Sequence, residues 1–75
     1  MSLLDDVKAA RRLPDPLVAR MIRVTAGVSQ GRLAEEVGVH RITLSRWESG
    51  ACRPRGDARA RYARLIAELQ KELTA

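Results

Sequence analysis

The sequence has no phenylalanine, and it holds a single tryptophan, Trp47, and a single tyrosine, Tyr62, in 75 residues. Its core must therefore be aliphatic, drawn from the 45% of residues that are hydrophobic. Recognition of single-stranded RNA relies on exposed stacking aromatics, and Trp47 is expected inside while Tyr62 lies remote in the chain. One cysteine, Cys52, excludes an internal disulfide and is expected as a reduced thiol. One histidine, His40, has no Cys or His partner at ligand spacing, so no metal and no cofactor is expected. No apolar run approaches the roughly 18 residues of a membrane span, and no signal peptide or lipidation motif is found. A cytoplasmic protein without membrane contact is expected. Nothing pairs a nucleophile with a base, and so short a chain has few residues to wall a cleft. No catalytic residue is assigned, and the reading is a binding module rather than an enzyme.

What is abundant is arginine. Lys and Arg number 14 against 9 Asp and Glu, a net charge of +5, and twelve of the basic residues are arginine. The excess is local. From Arg41 to Arg64 seven arginines face only Glu48 and Asp57, while the remainder of the chain is neutral. A basic stretch can be a solvated face. Clustered guanidinium forks also suit phosphate and guanine, which accept two hydrogen bonds at once.

Punctuation divides the chain into five helices. Ser2 caps the first, which runs to about Arg12 with Leu3, Leu4, Val7 and Ala10 on one stripe. Pro14 stops it, and Asp15 caps a second helix that has Pro16 at its first position. Leu17, Val18, Met21 and Ile22 form the expected buried stripe of that helix, which ends at Gly27. Ser29 caps a third helix over Gln30 to Val37, closed by Gly38. A fourth runs from His40 or Arg41 to Ser49 and stops at Gly50. After a loop holding Arg53, Pro54 and Arg55, Asp57 is the expected cap of the last helix. Ala58, Tyr62, Leu65, Ile66, Leu69 and Leu73 share one side of it. The fold expected is an all-α, compact five-helix bundle in one domain, 1–75. Its parts are an N-terminal helix (1–13), a helix-turn-helix core (15–56) and a C-terminal helix (57–73).

The stretch "RLAEEVGVHRITLSRWESG" carries two apolar patterns hinged at a glycine. Leu33, Ala34 and Val37 precede Gly38, and Leu44 and Trp47 follow it. Ala34 is small where two helices must approach closely, Gly38 makes the turn without a Cβ penalty, and Val39 tucks into the bend. Residues 20 to 56, above all "AGVSQGRLAEEVGV" and "SRWESG…RPRG", resemble the Cro/C1-type (Xre) helix-turn-helix regulators. The resemblance covers about half the chain. It implies a lambda-repressor-like bundle that sets its recognition helix, about 41–49, in the major groove of double-stranded DNA. The recognition positions depart from the family pattern, so no target sequence follows.

Taking Leu44 as the centre of the buried face, Ile42 and Arg46 lie nearly opposite it at 100° per residue. Arg41, Ile42, Ser45 and Arg46 are the candidate base-reading residues. Arginine can pair with guanine, and an aliphatic side chain can cover a thymine methyl. By resemblance Gln30 touches phosphate at the start of the scanning helix, where free amides also attract an anion. His40, Thr43 and Ser49 suit either phosphate contact or local capping. Arg53 and Arg55 occupy the loop that family members lay along the backbone. The family pattern also pairs Arg23 with Glu48 as a structural ion pair.

Partners follow from this reading. A palindromic operator bound by a homodimer is expected, because one recognition helix reads few bases. Leu65, Leu69 and Leu73, or Leu3, Leu4 and Val7, either form the dimer surface or complete the monomer core. Beside a helix-turn-helix there is no room for a sensing domain, so no small-molecule ligand is expected. The alternative is an antitoxin or other protein-interaction module that binds a partner through its terminal helix.

Overall fold

The computed structural model describes residues 13–75, which form four α-helices: α1 (Pro16–Thr25), α2 (Gln30–Val37), α3 (Arg41–Ser49) and α4 (Gly56–Thr74). No strand occurs among the described residues. The all-α class therefore stands with four helices in place of the expected five, and the helix read over residues 2–12 lies outside the described residues.

Helix α1 starts as its proline demands. Pro16 occupies the first turn with its φ preset, and the Asp15 carbonyl accepts from the Ala19 amide at 2.9 Å, while the Asp15 side chain makes no capping hydrogen bond. The buried stripe of α1 is not the expected one. Leu17 and Met21 are 63% and 58% exposed, and Val18 and Val24 also face outward. Ala19, Ile22 and Arg23 are the buried residues. The helix has turned by about one residue's 100° from the expected phase. Two requirements set this phase: Arg23 must point inward to meet Glu48, and Ala19 gives the smallest side chain where the helices touch.

Helix α2 begins with a true cap, the Ser29 hydroxyl accepting from the Arg32 amide at 3.1 Å. It ends at Gly38, whose φ of 85° lies in the left-handed region. There the amides of Gly38 and Val39 both return to the Ala34 carbonyl, at 2.8 and 3.0 Å. After an extended His40 the chain enters α3. Asp57 is not the cap of α4. Arg55 holds the cap position, and Asp57 sits one residue inside the first turn, where its charge complements the positive end of the helix dipole.

Helix α3 packs against α1 and α2, and α4 lies across both of those helices. The core joins Leu33, Ala34 and Val37 to Leu44, Trp47, Tyr62 and Ile66, with Ala19 and Ile22 closing it from α1. Its two aromatic rings meet at a centroid distance of 5.0 Å and an interplanar angle of 41°, a tilted contact favoured by the ring quadrupoles. Pro54 is buried as well and shares a cleft wall with Trp47 and Tyr62, which holds the α3–α4 loop against the body. Along α4 the apolar side fades outward: Ile66 is buried, Leu65 and Leu69 are half-buried, and Leu73 is exposed.

Candidate nucleic-acid interface

The candidate surface is built on α3. Its inward residues are Leu44, Trp47 and Glu48, and its outward face carries Arg41, Ile42, Ser45 and Arg46, all exposed. Ile42 is 53% exposed with an arginine on either side of it along the face. An outward-facing isoleucine on so short a helix is not required by the core, because Leu44 and Trp47 already fill α3's share of it. The stem of Arg41 runs beside α2: a Cβ placed on Gly31 would stand 3.9 Å from Arg41 Cδ. The first turns of α2 and α3 are thus neighbours, and Arg41 lies between them.

The other expected contacts fall around this face. His40 is exposed at the tip of α3 and makes no side-chain cap, and Thr43 is half-buried on the flank. Arg53 and Arg55 are exposed on the loop after α3. Ser49 serves its own helix end: its hydroxyl donates to the Arg46 carbonyl at 3.1 Å and accepts from the Ala51 amide at 3.4 Å. That leaves the capping alternative filled in this structure. Cys52 is exposed.

Behind the face sits a buried charge pair. Arg23 Nε donates to Glu48 Oε2 at 2.6 Å, and Arg23 Nη2 donates to Glu48 Oε1 at 3.0 Å. The third nitrogen, Nη1, donates to the Val28 carbonyl at 2.8 Å. This fork joins the end of α3 to α1 and to the loop before α2, with both side chains nearly sequestered from solvent. Gln30 joins the same network, its Nε2 donating to Glu48 Oε1 at 3.0 Å. Burial alone pushes the Glu48 carboxyl up. The hydrogen bonds from Arg23 and Gln30 and the charges of Arg23 and Arg20 outweigh it and hold the carboxyl below its ordinary value. Burial also pushes the Tyr62 hydroxyl up to about 12, with the Glu48 charge adding to the rise and Arg23 opposing it.

Three features of this region escaped the sequence reading. Gln30 was assigned to phosphate alone, and its link to Glu48 spans 18 residues. Arg61, counted among the arginines of the basic stretch, turns inward, its Nε donating to the Val37 carbonyl at 2.8 Å. The Tyr62 hydroxyl is buried without a hydrogen-bond partner. Charge counting and periodicity carry no signal for any of these, since each depends on a residue distant in the chain.

Two helices hinged at a left-handed glycine, the second showing a polar and basic outer face, define a helix-turn-helix. The chain matches the helix-turn-helix domain family over residues 17–75 and belongs to it. That is a family of DNA-binding domains. Comparisons with curated proteins and with solved structures gave no match. Among the described residues no helix is long and apolar enough to cross a membrane.

Proposed function

We propose that this chain is a sequence-specific double-stranded DNA-binding regulator of the Cro/C1 (Xre) type, acting as a repressor in a bacterial or phage-infected cytoplasm. The observation that carries the reading is the outward face of α3, where Arg41, Ile42, Ser45 and Arg46 are exposed opposite Leu44 and Trp47. A helix buried on one side and lined with guanidinium and methyl groups on the other suits the donor, acceptor and methyl pattern of the major groove. Gln30 spends one amide N–H on Glu48, and the second remains for a phosphate. Arg53 and Arg55, with His40 and Thr43, add contacts that position the protein without reading sequence.

A palindromic operator suits the size of the domain. The protein measures 31 × 29 × 20 Å, and half-sites one turn apart are separated by ~34 Å. Two copies on successive turns would therefore touch without overlapping. In-vitro selection from a random duplex pool tests the whole reading. A dyad-symmetric site bound by two subunits is expected. A pool that yields no preferred sequence overturns the reading.

The outward apolar residues of α1 and the exposed Leu73 favour a second reading, a protein-interaction module of the antitoxin kind. Co-purification of a neighbouring gene product on wild-type protein, lost on Leu73→Glu, would support it.

A further inference from the structure

Arg61 lies outside every role assigned above. It stands on α4, half-buried, and its Nε donates at 2.8 Å to the carbonyl of Val37, the last residue of α2. Helix ends leave their last carbonyls without intrahelical partners, and a cation there also meets the negative end of the dipole. The guanidinium continues past that carbonyl over the turn, since a Cβ on Gly38 would lie 3.8 Å from Arg61 Nη2. Arg61 thus spans the hinge between the two helices of the helix-turn-helix. Three residues beyond Gly38 the recognition helix starts at Arg41. Six residues before Arg61 in the chain stands Arg55, in the loop that precedes α4.

Resting on the DNA-binding reading, we infer that Arg61 is a positioning residue that fixes the tip of α3 relative to the phosphate-contacting loop. One end of α4 carries Arg53 and Arg55 at its entrance, and one turn later Arg61 grips the hinge that aims Arg41 and Ile42. Base readout tolerates little misplacement, because bidentate pairs need both hydrogen bonds aligned. Phosphate attraction is far less directional. Loss of the grip should therefore weaken binding to the preferred site and leave binding to random DNA nearly as it was.

Two variants separate the grip from the charge. Glutamine carries its Nε2 at the same bond count from the backbone as arginine's Nε, so Arg61→Gln keeps the donor and loses the cation. Arg61→Met has similar reach and lacks both. Binding of each to the selected duplex and to random duplex is measured at several salt concentrations. Alongside, amide hydrogen exchange of Gly38 and Val39 is followed in the protein without DNA. Arg61→Met is expected to lose about tenfold in preferred-site affinity, the value of one good hydrogen bond. Its salt slope should be unchanged and its Gly38 and Val39 exchange faster, with Arg61→Gln close to wild type in all three. Equal losses in both variants on both DNAs, with a shallower salt slope, would overturn the inference by making Arg61 a phosphate cation. Unchanged exchange in Arg61→Met would overturn it too. If wild-type protein selects no DNA, the functional reading fails by itself, and the exchange data still decide whether Arg61 holds the hinge.

Discussion

Arg23 on α1 and Glu48 on α3 meet through two hydrogen bonds, of 2.6 and 3.0 Å, across a separation of 25 residues. The pair ties the end of the recognition helix to the first described helix, and Gln30 and the Val28 carbonyl extend it to the start of α2. Three separate chain segments thus take their relative placement from one carboxylate. Removing one partner leaves the other charged in a dry site, so Glu48→Ala and Arg23→Ala should each cost ~3–5 kcal/mol. Replacing both by leucine and methionine should cost much less, because the desolvated charges disappear together. Chemical denaturation of the three variants checks this. Additive losses in the double variant would show that the pair itself is not what holds the helices.

The same carboxylate makes stability depend on pH. The folded Glu48 value lies below its ordinary 4.5, so its contribution is fully present above pH 4.5. It is lost as the pH falls through the folded value. Tyr62 acts at the other end. Its hydroxyl is raised from 10.0 to about 12, so stability is full below pH 10.0 and declines as the pH climbs toward about 12. Melting temperatures across the pH scale should show both declines. In the Arg23→Met/Glu48→Leu variant the acid decline should shrink.

The unpartnered Tyr62 hydroxyl gives an independent expectation. A buried donor without an acceptor costs about 1–3 kcal/mol, and Tyr62 is 2% exposed. Tyr62→Phe keeps the ring contact with Trp47 and deletes the orphaned group. The variant should be as stable as wild type or more so, with the alkaline decline abolished. A marked loss of stability would reveal a hydrogen bond made by Tyr62 in solution.

How far the sequence could be read depended on the range of each interaction. The turn at Gly38 and the stripes of α2 and α3 are local matters of spacing and small side chains, and they are where the reading put them. The phase of α1 is not local. Leu17, Val18, Met21 and Ile22 outnumber the smaller apolar surface of Ala19 in any periodicity, yet the partner that orients the helix is Glu48, 25 residues on. Gln30 and Arg61 were read as surface groups for the same reason, since their partners Glu48 and Val37 lie in other helices. The outward face of α3 was legible because the core's demands on it, at Leu44 and Trp47, left an isoleucine and two arginines unexplained.

The corrected phase of α1 can be tested directly. Met21→Gln changes an exposed side chain and should shift stability by no more than ~0.5 kcal/mol. Ala19→Leu forces methylenes into a site that is 1% exposed and should cost ~1–3 kcal/mol by overpacking. Urea denaturation distinguishes them. The reverse order of costs would restore the stripe expected from periodicity.

Separate contributions to DNA binding should follow from where each arginine stands. Arg41 and Arg46 project from α3, whereas Arg53 and Arg55 lie on the loop after Gly50. Removing Arg41 or Arg46 should cost ~1–3 kcal/mol on the selected site and relax preference at particular base pairs. Arg53→Ala and Arg55→Ala should weaken every sequence alike and make the salt slope shallower by about one unit per lost contact. Ile42→Ala should matter only where the site offers a thymine methyl to that position. The measurement is the affinity of each variant for a panel of single-base changes at two salt concentrations. Should Arg41→Ala and Arg55→Ala produce one uniform loss, α3 would not be reading sequence, and the basic face would be a general surface for polyanions.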